Sequence, residues 1–321
     1  MRCLVTGVAG FVGSHLAERL LADGHEVYGI DAFIDYYDRA LKEKNLEGPR
    51  SWKTFSFVEG NLADMHLLPL VEGMDWVFHQ AAQAGVRASW GEEFARYTEC
   101  NVLSTQRLLE TVLRSGGVKR VVYASSSSVY GDTQVLPIVE DAPLHPFSPY
   151  GVTKLAAENL CTLYQRNFGL PTVSLRYFTV YGPRQRPDMA FHRFCKAIIC
   201  REPLRVYDDG LQTRDFTYIS DVVEANIQAA QSEDAIGQVM NIAGGSRVTI
   251  RSVLQLLQEI SERDINVTFE AKQHGDVRDT FAETGRAQRL LGYHPRVSLQ
   301  EGLAREFAYA QSLYTQQVQP V

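Results

Sequence analysis

No apolar run in this sequence approaches the roughly 18 residues that a membrane-spanning helix requires, so no membrane anchor is expected. Cations are not in excess either: 32 Lys and Arg stand against 38 Asp and Glu, a formal charge of -6 at pH 7. A nucleic-acid surface needs clustered Lys and Arg that this composition does not supply, so no nucleic-acid partner is expected. A single nucleotide stays within reach, because helix N-termini and a few arginines suffice to bind it. Cysteine is scarce. Cys3, Cys100, Cys161, Cys195 and Cys200 show no C-x-x-C spacing. All five read as reduced core thiols, and no metal is expected. Low-complexity tracts and internal repeats are missing as well. Met1 to Gly7 already reads as a strand entering a glycine turn, so no signal or transit segment is expected and the cytoplasm is the expected compartment.

Apolar material is plentiful, at 45% of 321 residues, enough for one large α/β core and a smaller lobe. Strand-like runs at 2–6, 26–30, 55–58, 76–78, 120–124 and 172–177 alternate with helical periodicity at 14–22, 101–114 and 150–168. Each parallel pair needs a crossover to return the chain, so this order predicts a Rossmann-type doubly wound parallel sheet. Ligands of such sheets bind at the carboxyl ends of the strands. After Tyr177 the pattern changes to proline-punctuated loops, a short helix, a strand near 204–207 and a helix near 250–260. Residues 1–178, rejoined by 215–243, are therefore expected to form the nucleotide-binding domain. Residues 179–214 and 244–321 are expected to form a smaller α+β substrate lobe over its mouth.

Gly7-x-x-Gly10-x-x-Gly13 follows the first run and opens a helix with Phe11 and Val12 on its first turn. Glycine there lets the backbone turn tightly and approach a pyrophosphate, whose charge rests on free helix N–H groups. Asp31 closes the second run, where a carboxylate accepts hydrogen bonds from an adenosine ribose and repels a phosphate. NAD is thus expected rather than NADP, with capping of the next segment as the plainer role for Asp31. Asn61 and Leu62 follow the third run, where they serve either the adenine edge or a turn. His79 reads as packing beside the cofactor, and Trp52, Trp76 and Trp90 as core or lobe contacts.

Tyr150-x-x-x-Lys154 places two side chains on one helical face, one turn apart. An ammonium beside a phenol stabilises the phenolate, which is what a general base for an alcohol requires. The strand ending in Ala124-Ser125-Ser126-Ser127-Ser128 precedes the pair at the interval that brings both to one sheet edge.

Taken together, Thr6-Gly7-x-x-Gly10-Phe11-x-Gly13, His79-Gln80-Ala81-Ala82, Ser125-Ser126-Ser127-Ser128-Val129-Tyr130-Gly131 and Tyr150-Gly151-x-Thr153-Lys154 resemble the extended short-chain dehydrogenase/reductases that act on nucleotide sugars. The resemblance covers nearly the whole chain. It implies a tightly bound NAD lined by Ala81, a catalytic Tyr150 with Lys154, and Ser126 bonded to the sugar 4-hydroxyl. Dehydratases and decarboxylases of that family carry acids after this serine; here Ser127 and Ser128 supply no carboxylate for work at C5. Epimerisation at C4 through a transient 4-keto sugar needs none.

Asp35-Tyr36-Tyr37-Asp38, Ala84-Gly85-Val86-Arg87-Ala88-Ser89 and Arg176-Tyr177-Phe178-Thr179-Val180-Tyr181-Gly182-Pro183 are similar to UDP-glucuronate 4-epimerases. A 4-keto uronate is a β-keto acid that loses CO₂ when its carboxylate bond aligns with the carbonyl π system. Ser127, Ser128, Thr179 and Arg186 are the expected groups to hold the carboxylate out of that alignment. A plainer reading pairs Arg186 with Asp188 or turns it to solvent. By resemblance Arg87, Arg214 and Arg278 are the expected substrate arginines, with Tyr207 and Leu204 on the strand flanking the base and a homodimer built on helices 101–114 and 150–168. Interconversion of UDP-glucose and UDP-galactose, decarboxylation of UDP-glucuronate, use of a 2-acetamido sugar, and a non-catalytic dinucleotide sensor are the alternatives.

Overall fold

A computed structural model describes residues 1–315; the last six residues of the expected 244–321 span lie outside them. Its centre is a parallel sheet of β1 (Arg2–Thr6), β2 (Glu26–Asp31), β3 (Phe55–Glu59), β4 (Trp76–His79), β5 (Arg120–Ser126), β6 (Thr172–Tyr177) and a later strand, Val239–Ile242. Among the described residues the order across this seven-stranded sheet is Val239–Ile242, β6, β5, β4, β1, β2, β3. The chain starts in the middle, winds outward to β3 and returns through β4 to the other side. The reversal falls between β1 and β4, which opens a crevice at their carboxyl ends.

Both faces of the sheet are covered, which is why β1 and β5 read as continuous apolar runs. Cys3 and Val5 pack with Leu16 of the helix Phe11–Ala22 and Val222 of the helix Ile219–Gln231. Leu4 and Val121 face the other way, onto Leu108 and Leu109 of Ser104–Ser115 and Ala157 of Pro149–Phe168. Alternate β1 residues thus serve opposite layers, as the two-residue repeat of a strand dictates.

Beyond β6 the strands are short. Leu204–Tyr207 pairs with Val267–Glu270 in parallel, and Thr213–Asp215 pairs with Arg247–Thr249 antiparallel. The helices Ala190–Cys200 and Leu299–Tyr314 contribute to one apolar cluster through Phe191, Phe194, Leu303 and Phe307.

Several local expectations are corrected. The first helix does open at Phe11, directly after Gly10, as the glycine turn implied, but a π-helical stretch, Thr98–Leu103, takes the start of the helix expected over 101–114. Of the three tryptophans only Trp76 is core; Trp52 and Trp90 are exposed because each sits in a turn beyond the ends of regular elements. All five cysteines are free, but Cys200, at the end of its helix, is only partly buried. Among the described residues no helix is long and apolar enough to cross a membrane.

Candidate active site

A cleft of about 410 Å³ opens at the crevice, lined by Gly7, Gly10, Phe11, Val12, Gly13, Asp31, Asn61, Leu62, Ala81 and Lys154. These are the ten positions expected to touch the cofactor. Gly7 adopts φ +69°, and a Cβ there would lie 2.8 Å from the Ala81 Cα. A Cβ on Gly13 would overlap the Gly7 carbonyl. The first and third glycines therefore let turn, helix and β4 pack closely, while the helix N-terminus faces the cleft.

Asp31 fills the plainer, turn-holding role and also stands in the cleft wall. Its Oδ1 accepts from Phe33 N at 2.9 Å and its Oδ2 from Ala9 N at 3.1 Å, while the residue still lines the cleft. Burial raises its carboxyl above the ordinary value, against those two bonds and the Lys42 charge. Asn61 likewise holds its own turn, its Oδ1 accepting from Ala63 N at 3.0 Å. His79 is buried between Thr6 Oγ1 at 2.8 Å and Thr105 Oγ1 at 2.9 Å. Burial pushes the imidazole down to about 3, so it stays neutral.

Tyr150 and Lys154 lie at the start of Pro149–Phe168, where Pro149 occupies the first turn and Ser148 Oγ caps Gly151 N at 3.1 Å. Ser126, at the end of β5, lines the cleft with Tyr150. Burial raises the phenol above 10, while the Arg186 charge and the Ser126 hydroxyl lower it. The Arg186 charge, on a separate loop, thus favours the phenolate. Lys154 Nζ lies 4.4 Å over the Tyr123 ring, and burial pushes the ammonium down to about 7. One turn on, Glu158 meets Arg176 in a buried pair at 2.6 Å and accepts from Ser125 Oγ, also at 2.6 Å. That pair ties the catalytic helix to β5 and β6 directly beneath the site.

A second cavity of about 1050 Å³ adjoins the first, and Ser127, Ser128, Thr179 and Arg186 line both. Arg186 is bidentate to Asp188 at 3.0 and 2.9 Å, and Tyr36 Oη donates to Asp188 at 3.1 Å. The plainer pairing is therefore real. The solvent-facing version is not, since the Arg186 side chain is 21% exposed and forms part of the wall.

Farther out, Arg87 lies 4.1 Å over the Tyr207 ring and bonds Asp276 at 2.7 Å. Arg193, which the sequence reading missed, lies over the same ring at 5.3 Å. It follows Met189 by one helical turn, and that spacing was the available signal. Arg214 lines the cavity, its guanidinium tethered to the carbonyls of Thr213, Val277 and Arg278. Arg278 does not join the group: Asp208 and Asp209 hold it at 3.0 Å, and it is not in the cavity wall. Leu204 is core, while Arg205, Val206 and Tyr207 of its strand reach the cavity.

This arrangement, a glycine-turn cleft joined through a Ser-Tyr pair to a second cavity, has known relatives. Residues 3–243 match the NAD dependent epimerase/dehydratase family. The chain belongs to that family. An uncharacterized UDP-glucose epimerase of Bacillus subtilis is 47% identical over 315 residues, covering 98% of this chain and 99% of its own. A UDP-glucuronate 4-epimerase of Thermodesulfobacterium geofontis is 37% identical over 308 residues, with 94% of each chain covered. Among solved structures, a UDP-glucuronic acid 4-epimerase from Bacillus cereus, in complex with UDP-glucuronic acid and NAD, superposes with a TM-score of 0.95. It is 42% identical, over 98% of this chain and 100% of that one.

The cleft's lining fits the cofactor of an NAD dependent family, with the helix N-terminus and the Asp31 carboxylate side by side in its wall. Asp31→Asn is expected to weaken NAD binding roughly 10- to 100-fold, the worth of one charge-assisted hydrogen bond, and to narrow the preference over NADP. Titration of cofactor-free protein with both dinucleotides checks this; an unchanged NAD affinity would return Asp31 to its turn-forming role alone.

Proposed function

We propose that this chain epimerises C4 of a UDP-hexuronate, interconverting UDP-glucuronate and UDP-galacturonate. The observation that carries this reading is the junction of the two cavities, where Tyr150 and Ser126 meet a wall containing Arg186, Ser127, Ser128 and Thr179. The Tyr150 phenolate takes the proton of the sugar 4-hydroxyl, and Ser126 Oγ orients that hydroxyl toward it. Bound NAD supplies a hydride acceptor for C4 and returns the hydride to the opposite face of the 4-keto sugar. Tyr150 then gives its proton back to the C4 oxygen, so no net redox change remains. Throughout, Arg186 and the three hydroxyls hold the carboxylate out of line with the C4 carbonyl, which suppresses loss of CO₂. No acid follows Ser126, which disfavours dehydration and decarboxylation at this site.

Incubating the purified protein with UDP-glucuronate is expected to yield UDP-galacturonate without UDP-pentose. Turnover confined to UDP-glucose, the activity named for the Bacillus subtilis relative, would replace this reading with a neutral-sugar epimerase. The cytoplasm is the proposed compartment. A homodimer is proposed as well, on the exposed Leu163 and Phe168 of the catalytic helix and Leu103 of its neighbour. Light scattering tests it against the 36.1 kDa single-chain mass.

A further inference from the structure

Arg186 sits in residues 182–189, a segment with neither helix nor strand. Two of its residues have positive φ, Gly182 at +135° and Arg184 at +67°. Such a segment has no ladder of its own to hold a guanidinium in place, so its position must be imposed by neighbours. The helix Leu299–Tyr314 imposes it at two points.

At the first point, Glu306 is 2% exposed and accepts from Gly182 N at 2.8 Å. Its other oxygen has no partner among the described residues, and burial raises the carboxyl well above its ordinary value. Burial without a compensating cation favours the neutral acid over the ionised carboxylate, and the group accepts one backbone bond. Close approach is built in: a Cβ on Gly302, one turn earlier, would overlap the Tyr181 phenol.

At the second point, Tyr314 Oη lies 2.6 Å from His192 Nε2, and His192 Nδ1 lies 2.8 Å from the Gln185 carbonyl. A carbonyl only accepts, so Nδ1 carries the proton. Burial lowers His192, leaving Nε2 an acceptor and making Tyr314 the donor. Gln185 is bolted further by His192 N at 2.9 Å and by its own bond to Val180 O at 3.0 Å. The chain Tyr314, His192, Gln185 therefore ends one residue before Arg186.

We propose that Glu306 and Tyr314 are positioning residues that hold the Arg186 loop in register for the sugar carboxylate. The proposal rests on the uronate reading above. Glu306 lines neither cavity; Tyr314 and His192 reach the wall of the second cavity but not the cofactor cleft, and both anchors bear on Arg186 through the loop.

The test uses the full chain with its NAD. In Tyr314→Phe, which removes only a hydroxyl, and in Glu306→Leu, KM for UDP-glucuronate is expected to rise about tenfold, the worth of one hydrogen bond. NAD content and inhibition by UDP should stay unchanged. Glu306→Gln, which keeps a neutral acceptor, should behave as the parent protein. Amide exchange in a peptide spanning 182–189 should quicken in the two damaging variants alone. An unchanged KM in Tyr314→Phe, or UDP and NAD affinity falling in step with it, overturns the proposal, because the helix would then be general scaffold. If the parent protein does not turn over UDP-glucuronate, the uronate reading fails on its own. The exchange measurement then still decides: quickened exchange at 182–189 supports the clamp, and unchanged exchange overturns it.

Discussion

Tyr150→Phe is expected to cut kcat by about 10²- to 10⁴-fold, the usual contribution of a positioned acid-base group, while NAD content and stability stay near those of the parent. The ring remains, and with it the edge-on packing against Tyr97 at 6.2 Å between centroids. Only the hydroxyl that shares the cleft with Ser126 is lost. The pH dependence follows from the direction of the shift. Burial raises the phenol, so the reactive phenolate becomes more populated as pH rises, and kcat/KM should climb on an alkaline limb. That limb should vanish in Tyr150→Phe. A variant whose kcat stays within about threefold of the parent would remove Tyr150 from the chemistry.

Arg186→Gln is expected to lower kcat/KM for UDP-glucuronate by roughly 10- to 100-fold, as expected for loss of a charge-assisted hydrogen bond. UDP-pentose should appear among the products as the carboxylate is freed. Two effects are mixed in this variant. Asp188, which the Arg186 charge holds below the ordinary carboxylate range, loses its partner, and the substrate carboxylate loses its own. The double variant Arg186→Gln, Asp188→Asn separates them, because it restores local charge balance without restoring a cation. Activity that stays low in the double variant places the loss at the substrate; full recovery would place it at Asp188 and deprive Arg186 of its role. Arg186 also lowers the Tyr150 phenol, so the alkaline limb should shift upward in both variants.

Much of the cofactor cleft was legible in the linear chain because its parts are local. A glycine at +69° is required wherever a strand must turn at once into a helix, and Gly7 to Gly13 lie within two turns of one another. Asp31 was legible because a strand's last residue necessarily points into the crevice at the sheet's carboxyl edge. Lys154 shares the face of Tyr150 by i, i+4 spacing, and its ammonium lies over the Tyr123 ring.

The arginines were harder to read. Arg87, Arg186, Arg214 and Arg278 look alike in a motif, but their availability depends on which carboxylates and carbonyls fold back on them. Asp276 is 189 residues from Arg87, and Asp208 is 70 from Arg278. Nothing in spacing announces such partners.

Alternating strands and helices, the glycine turn and the Ser, Tyr and Lys positions follow from periodicities of two and 3.6 residues and from backbone sterics, which act over a few positions and can be read directly. Which cation tunes the phenol, which arginine is already spent on an aspartate, and what steadies the Arg186 loop were decided only by tertiary packing. The reason is that charge and hydrogen-bond energies depend on distance and burial, and residues hundreds of positions apart in the chain acquire both only once the core has closed.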